Sequence, residues 1–392
     1  MFKFNCQKPH KTDVVLLYPE REDMIREYIL KEIPYQVLDV GNFLSANMTV
    51  LARTLRLLPT IDFVSIFSSK RVFNSFLKRI YELHLQVCIE IIAPKVVLTF
   101  IDDSGVFHRL SRKCQNVKFF AIQNGLKLDF AFNSLPPVGP LEPKISMPNY
   151  FCFGEVDINR FSSKGCVIDN FFPMGSLVGG IYWGEISEEI KPIYDICYIS
   201  SWVGTPKPED KEVHRLALWK CDVEGISILE ENLQKLISDK GFSVIIALKY
   251  ENSFEEQSYF YKIFGDSVHY QYASRPDFST YRAIDKSRLC LSGYSTCSAE
   301  ALGIGRRALF VNSTGFSGSR VNEAGISYLE DPRYSEFSDR IESIIEMTEQ
   351  EYTKVMSQSA KYMMNYDHEE MPHQAIRKAV LGVINNNVKN SL

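Results

Sequence analysis

A hydroxyl-rich turn followed by a carboxylate has the clearest chemical potential in this sequence. Tyr294, Ser295 and Thr296 come just after a short apolar run at residues 288–292, and Glu300 follows one helical turn later. A turn that opens a helix offers backbone N–H groups, hydroxyls and the positive end of the helix dipole, and this combination binds phosphate. A carboxylate one turn further can accept hydrogen bonds from both ribose hydroxyls. Our hypothesis is that these four residues hold the nucleotide of an activated sugar; the alternative is an ordinary turn with a solvated glutamate.

A second set of polar residues follows two apolar runs in the second half of the chain. Ser200 and Ser201 end the run at 194–200, and Lys249 ends the run at 243–248. The serines stand where a loop can meet a phosphate, and the lysine can neutralise the charge of a leaving phosphate without a metal. We count all three among the donor nucleotide-binding residues, while a surface lysine at a strand end is the plainer alternative for Lys249.

The third set follows the two strongest apolar runs of the first half. Asp102 and Asp103 end the first of these runs, and Gln123 and Asn124 end the second, just before Gly125. A carboxylate there can act as a general base on an acceptor hydroxyl or as a nucleophile on an anomeric carbon. Because adjacent side chains on an extended chain point in different directions, we expect one working and one structural aspartate. Gln123 and Asn124 are predicted to orient sugar hydroxyls, or else only to form a turn.

These residues are positioned by alternating strands and helices, which predict an α/β chain with parallel sheets. We divide it into a first domain at residues 1–178 and a second, nucleotide-binding domain at 190–355, with Gly175, Gly179 and Gly180 as a hinge or linker. The proline-rich stretch from 134 to 148 is predicted to be a loop. The tail, from about 358 to 392, is predicted to form a helix that crosses back to the first domain.

Composition and charge exclude several classes of protein. The chain has 392 residues, of which 45% are hydrophobic and 23% charged, and its net charge of −4 gives no reason to expect nucleic acid as a partner. Nine cysteines without a Cys-x-x-Cys pair indicate buried thiols in a reducing compartment. There is no apolar core of a signal peptide and no run near the ~20 apolar residues of a membrane span. We expect a cytoplasmic protein, at most peripheral to the inner membrane through a basic amphipathic helix at 70–92. Packing of this helix on the sheet, with its basic edge in solvent, is the favoured alternative.

Several site motifs are missing from the sequence. It has no Gly-x-Gly-x-x-Gly after the first strand and no Walker loop, which argues against a dehydrogenase and a P-loop kinase. It has no His-x-His, no His-Glu-x-x-His and no Gly-x-Ser-x-Gly elbow. We therefore expect no cofactor and no metal, with a nucleotide sugar as substrate.

The residues of all three sets resemble a family of bacterial surface-carbohydrate biosynthesis proteins. The segments that carry this resemblance are 99–104 with Phe107, 121–125, 195–200, 246–249 and 295–305. The last of them is also similar to capsule-type Kdo transferases and other two-domain GT-B glycosyltransferases. The resemblance implies two Rossmann-like domains facing across a cleft, the second binding the donor. It also implies sugar transfer onto a glycan or lipid-linked glycan acceptor of capsule or lipopolysaccharide.

The Kdo-transferase likeness implies further detail about donor and mechanism. It suggests a CMP-linked ulosonic acid as one candidate donor, with UDP-, GDP- and dTDP-linked sugars left open, and it places the role of nucleophile on Asp102. Two residues depart from the pattern, because we expect Arg where Lys249 stands and Asn where Asp103 stands. Lysine keeps the charge but loses the bidentate fork of arginine.

Three functions remain open on the sequence. The first is a metal-independent glycosyltransferase, the second a sugar-nucleotide epimerase of the same two-domain plan, and the third a non-catalytic sugar-binding protein of an assembly complex. Acceptor-free conversion of a nucleotide sugar to its epimer would select the second, and tight binding without turnover would select the third.

Overall fold

The strands of the protein form two parallel sheets, one in each half of the chain. The computed structural model describes residues 8–45, 47–58, 70–133, 145–188, 190–204 and 213–389. Within these residues each sheet has six strands. Long apolar runs such as Val-Val-Leu-Leu at the first strand have no exposed surface, as expected for parallel strands covered on both faces. The predicted α/β class with two Rossmann-like domains is confirmed.

The first sheet has the strand order β2-β1-β3-β4-β5-β6. Its strands are β1 Val14–Leu17, β2 Tyr35–Leu38, β3 Val96–Thr99, β4 Lys118–Ile122, β5 Ser146–Cys152 and β6 Val167–Pro173. Its helices are α1 Glu22–Met24, which continues as a π-helical turn at Ile25–Leu30, α2 Met48–Leu57, α3 Lys70–Ile92, α4 Gly105–Lys113, α5 Asp129–Asn133 and α6 Glu155–Ser163. The carboxyl ends of β1, β3 and β4 are therefore neighbours at one edge.

Two short helical pieces connect the halves, α7 Leu177–Ile181 and a π-helical turn at Tyr182–Ile186. The second sheet has the order β12-β11-β10-β7-β8-β9. Its strands are β7 Tyr194–Ile199, β8 Val244–Ala247, β9 His269–Gln271, β10 Ser287–Ser292, β11 Ala308–Asn312 and β12 Tyr328–Glu330. The α-helices of this half and the tail are α8 Val213–Lys240, α9 Phe254–Phe264, α10 Ser279–Asp285, α11 Thr296–Gly303, α12 Tyr334–Glu346, α13 Glu349–Met363 and α14 Pro372–Lys389.

The last helix crosses back to the first domain, as predicted. Ile376, Val380 and Ile384 of α14 pack in one apolar cluster with Val14 and Leu16 of β1. Arg377 also donates to the carbonyl of Ile29, 2.7 Å away. The terminal helix is thus part of the first domain's core.

The connection between the domains differs from the flexible linker that its glycines predict. Gly179 and Gly180 are buried within α7, and they allow close packing instead of bending. A side chain on Gly179 would meet the hydroxyl of Tyr366, and one on Gly180 would meet the ring of Pro372. The π-helical turn that follows is anchored by Asp285, which accepts a hydrogen bond from the Tyr182 hydroxyl at 2.8 Å.

Substituting Gly179 with alanine is expected to lower the free energy of unfolding by about 1–3 kcal/mol, because the added methyl group overpacks this contact. Gly382→Ala is the matched control, since a methyl group there meets nothing within 4 Å. It is expected to be neutral or to stabilise α14 by about 0.5–1 kcal/mol. Urea denaturation measures both; equal stabilities would contradict tight packing at Gly179.

Two smaller expectations concern loops and membrane contact. The proline-rich segment was predicted to lack strands, but β5 begins at Ser146, and residues 134–144 lie outside the described part of the chain. Among the described residues, no helix combines the length and the apolar character needed to cross a membrane.

Candidate functional site

A cavity of about 350 Å³ lies where the two domains meet. Arg21 and Val178 reach it from the first half of the chain, and the remaining wall comes from strand ends and helix starts of the second half. The lining residues are Arg21, Val178, Ile199, Ser200, Ser201, Ala247, Leu248, Lys249, Ala273, Ser274, Arg275, Phe278, Ser279, Thr280, Tyr281, Tyr294, Ser295, Thr296 and Cys297. Its place outside the carboxyl ends of parallel strands is typical of ligand sites in α/β folds.

The electrostatics of this cavity favour an anion. Arg21, Lys249 and Arg275 line it, and none of the described lining residues is a carboxylate. Many of the other lining side chains carry a hydroxyl, which can donate to phosphate oxygens. Aromatic rings of Phe278 and Tyr294 add a surface on which a base or sugar ring can pack.

The predicted phosphate turn lies at this cavity. Ser295 caps α11 and its hydroxyl accepts a hydrogen bond from the Cys297 N–H at 3.2 Å. The hydroxyl of Thr296 accepts from the Leu126 N–H at 3.1 Å, so it also ties the loop after β4 to the second domain. Because a hydroxyl that accepts one bond can still donate its own proton, both remain suitable for phosphate. Tyr294, Ser295 and Thr296 all line the cavity.

Glu300 does not line the cavity, contrary to the hypothesis of a direct ribose contact. Glu300 is 2% exposed, and its Oε2 accepts a hydrogen bond from the Tyr281 hydroxyl at 2.7 Å. Burial raises the pKa of its carboxyl group. Since Tyr281 lines the cavity, Glu300 acts on the site by holding that ring in place. Tyr281 was missed in the sequence because nothing in the surrounding pattern marks it.

Ser200, Ser201 and Lys249 all line the cavity. Ser200 and Lys249 are both hydrogen-bonded to the buried carboxylate of Glu256. Glu256 accepts from the Ser200 hydroxyl at 2.5 Å and from the Lys249 N–H at 2.9 Å. It also accepts from the Tyr250 N–H at 2.9 Å, so one side chain ties together the ends of two neighbouring strands. The Ser-x-x-Glu pattern at the start of α9 indicates a helix cap. It does not indicate that the Glu256 side chain also bonds to the ends of β7 and β8.

Arg21, like Tyr281 and Arg275, is a lining residue that the sequence did not reveal. It is the cation contributed to the cavity by the first half of the chain. Its backbone is left-handed, with φ 59°, and so is that of Phe278 across the cavity, with φ 50°. Such a conformation costs roughly 1–2 kcal/mol in a residue other than glycine. Strain of this kind concentrates at sites that must hold a side chain in one position.

Asp102 is the structural aspartate of its pair, which corrects its assignment as nucleophile. The side chain is 1% exposed; its Oδ1 pairs with the Lys127 Nζ at 2.8 Å and its Oδ2 accepts from the Tyr150 hydroxyl at 2.6 Å. Burial raises the pKa of this carboxyl group, and the charge of Lys127 opposes the rise. With both oxygens engaged inside the domain, Asp102 is not available to an anomeric carbon.

Asp103 is exposed at the same strand end. The hydroxyls of Tyr18 and Ser104, the residue after Asp103, are hydrogen-bonded at 2.6 Å, which places the end of β3 beside the loop after β1. The end of β3 lies between the ends of β1 and β4 in the sheet. The loop after β1 carries Arg21 into the cavity, and the loop after β4 bonds to Thr296 at its wall. Asp103 therefore stands between two loops that reach the cavity.

Gln123 and Asn124 have different surroundings. Gln123 is 1% exposed; its amide nitrogen donates to Asp157 at 3.1 Å, and its oxygen accepts from the Phe153 N–H at 3.0 Å. It stabilises the first domain and cannot orient a sugar, which corrects that prediction. Asn124 is exposed and accepts from the Lys127 Nζ at 3.1 Å.

Comparison with known proteins supports a surface-carbohydrate function. Residues 163–378 match the family described as "putative O-antigen biosynthesis protein". No curated protein matches the chain in sequence.

Solved structures share the two-domain architecture. The S. aureus MnaA–UDP structure covers 96% of this chain and 96% of its own, with 11% identity and a TM-score of 0.53. A UDP-N-acetylglucosamine 2-epimerase covers 95% of each chain, with 15% identity and a TM-score of 0.51. The wall teichoic acid polymerase TagF with CDPG covers 97% of this chain and 90% of its own, with 10% identity and a TM-score of 0.51. Identities this low show the shared GT-B fold alone, and that fold is the predicted one.

Proposed function

This chain belongs to the O-antigen biosynthesis protein family, and on that premise we propose that it is a glycosyltransferase that uses a nucleotide-activated sugar. The observation that carries the proposal is the cavity between the domains, with three cations, many hydroxyls and no carboxylate among its described lining residues. A nucleoside phosphate fits this lining in charge, in hydrogen bonding and in its need for an apolar surface beside the base.

The cations supply the chemistry that a leaving phosphate needs. As the bond between the anomeric carbon and the phosphate oxygen breaks, negative charge grows on the phosphate. Arg21, Lys249 and Arg275 stabilise that charge, which lowers the barrier without a metal. Asp103 is the exposed carboxylate of the pair and lies outside the cavity's lining, between two loops that reach it. We assign it, in place of Asp102, the role of general base or nucleophile on a sugar that extends from the cavity toward the end of β3.

The donor and acceptor follow from the same proposal. A CMP-linked ulosonic acid is one candidate donor, since its phosphate and carboxylate both suit the cationic lining. The acceptor is a glycan or lipid-linked glycan. Contact with an anionic membrane surface would come from the basic helix α3, where Leu77 is 46% exposed beside the exposed residues Lys78 and Arg79.

A sugar-nucleotide epimerase is the second candidate. Loss and re-addition of a nucleoside diphosphate would need the same cations around the departing phosphates. The fold that this chain shares with a UDP-N-acetylglucosamine 2-epimerase is compatible with this alternative.

Thermal-shift measurements with UDP, GDP, CDP, dTDP and CMP test the proposal. We expect one of them to raise the melting temperature, since a ligand at 100 times its Kd adds about 2.7 kcal/mol of stability. Lys249→Ala should reduce the shift, and Lys354→Ala, an exposed lysine outside the cavity, should not. Incubating the matching nucleotide sugar with and without acceptor then separates transfer from epimerisation. The absence of a shift with every nucleotide would refute the proposed site.

A further inference from the structure

A second cavity, of about 410 Å³, lies between α9 and the edge strand β9. Phe254, Gln257, Ser258, Tyr261 and Lys262 line it from the helix. These residues recur at the spacing of one helical face, while Phe260 and Phe264 on the other face are buried in the core. We call this second cavity the aromatic groove.

The aromatic groove exposes large rings to solvent. Phe254 is 79% exposed, Tyr261 is 56% exposed, and Tyr272, which follows β9, is 59% exposed. Burying aromatic surface is strongly favourable, so a cluster of exposed rings around one concave surface marks a binding site. The aromatic groove does not include the turn at Ser295 and Thr296, and nucleotide binding does not explain why the groove exposes these rings.

The chemistry of the lining favours a saccharide. Sugar rings present a C–H face that packs flat on aromatic rings, and hydroxyls at their edges that need hydrogen-bond partners. The groove offers both, with the rings described above and the polar ends of Gln257, Ser258 and Lys262. An acyl chain or an apolar protein helix would need many aliphatic side chains in the groove. Among the described lining residues, Leu248 alone is aliphatic.

The aromatic groove is adjacent to the nucleotide cavity. Leu248 lines both, and Tyr272 of the groove is followed in the chain by Ala273 of the cavity. The loops at this junction are joined by the Arg275 N–H, which donates to Glu251 at 2.6 Å. A saccharide in the groove would therefore have one end beside the donor.

We propose that the aromatic groove binds the saccharide chain of the acceptor and directs its growing end toward the nucleotide cavity. This inference rests on the proposed function, because it assigns a second substrate to the same enzyme. It gives the second domain a part in acceptor recognition in addition to its grip on the donor.

The experiment uses an array of bacterial O-antigen and capsule polysaccharide fragments probed with the full-length protein. We expect wild type to bind a subset of these glycans, and the double substitution Phe254→Ala with Tyr261→Ala to weaken that binding at least tenfold. Tyr261→Phe alone should keep most of it, since the ring remains. Val355→Ala is the control, because Val355 is 51% exposed and lies outside the groove.

The nucleotide thermal shift is measured on the same proteins and should be equal in all of them. Wild type that shows the shift but binds no glycan, or a double variant that binds glycans as well as wild type, would overturn the groove assignment. Light scattering tests the alternative that the groove is a dimer interface. If wild type formed a concentration-dependent dimer that the double variant lost, the groove would serve self-association and the glycan assignment would be overturned. Absence of any nucleotide shift, with glycan binding still lost in the double variant, would refute the proposed transferase and leave the glycan site standing.

Discussion

Asp103→Asn is expected to lower kcat by about 10²–10⁴-fold with the nucleotide sugar that the thermal shifts identify, because positioned proton transfer contributes a factor of this size. Asparagine keeps the shape of the side chain but cannot accept a proton or attack a carbon. Nucleotide affinity should stay unchanged, since Asp103 is not among the cavity's lining residues. Single-turnover kinetics and calorimetry measure the two quantities separately.

Asp102→Asn is the informative control for this experiment. The buried pair with Lys127 would lose its charge complement, which costs about 3–5 kcal/mol when a buried partner is left alone. We therefore expect a large loss of stability in urea, with kcat changed far less than in Asp103→Asn in the protein that remains folded. If Asp102→Asn instead abolished turnover at full stability, the roles of the two aspartates would have to be exchanged.

Arg21→Ala is expected to reduce kcat/KM by about 10²–10³-fold, the effect of removing one fixed donor at a developing negative charge. The side chain reaches the cavity from the first domain, so its loss removes a contact that depends on both domains. Arg21→Lys should recover only part of the rate, since lysine keeps the charge but not the fork.

Arg26→Ala is the matched control for Arg21, because Arg26 is exposed, lies in the helical turn that follows, and does not line the cavity. Steady-state kinetics should show it unchanged. A rate for Arg21→Ala within a factor of three of wild type would remove this arginine from the proposed leaving-group site.

The fold followed from local patterns that need no tertiary information. The apolar runs predicted at 194–200 and 243–248 are the strands Tyr194–Ile199 and Val244–Ala247, which are apolar because parallel strands are covered on both faces. Strands alternating with helices left little choice but parallel α/β domains. The turn at Ser295 and Thr296 could equally be predicted, since a capped helix start after a strand is a local feature.

The sequence by itself thus determined the α/β plan and the segments whose ends meet at the cavity. Only the tertiary structure decided which polar residues face that cavity and which support it from behind. Asp102, Gln123 and Glu300 are polar residues at the predicted strand and helix ends, yet their partners Tyr150, Phe153 and Tyr281 are distant in sequence. The direction and burial of a side chain depend on such long-range contacts. No pattern within one strand or helix could therefore show that Asp103 is exposed and Asp102 buried.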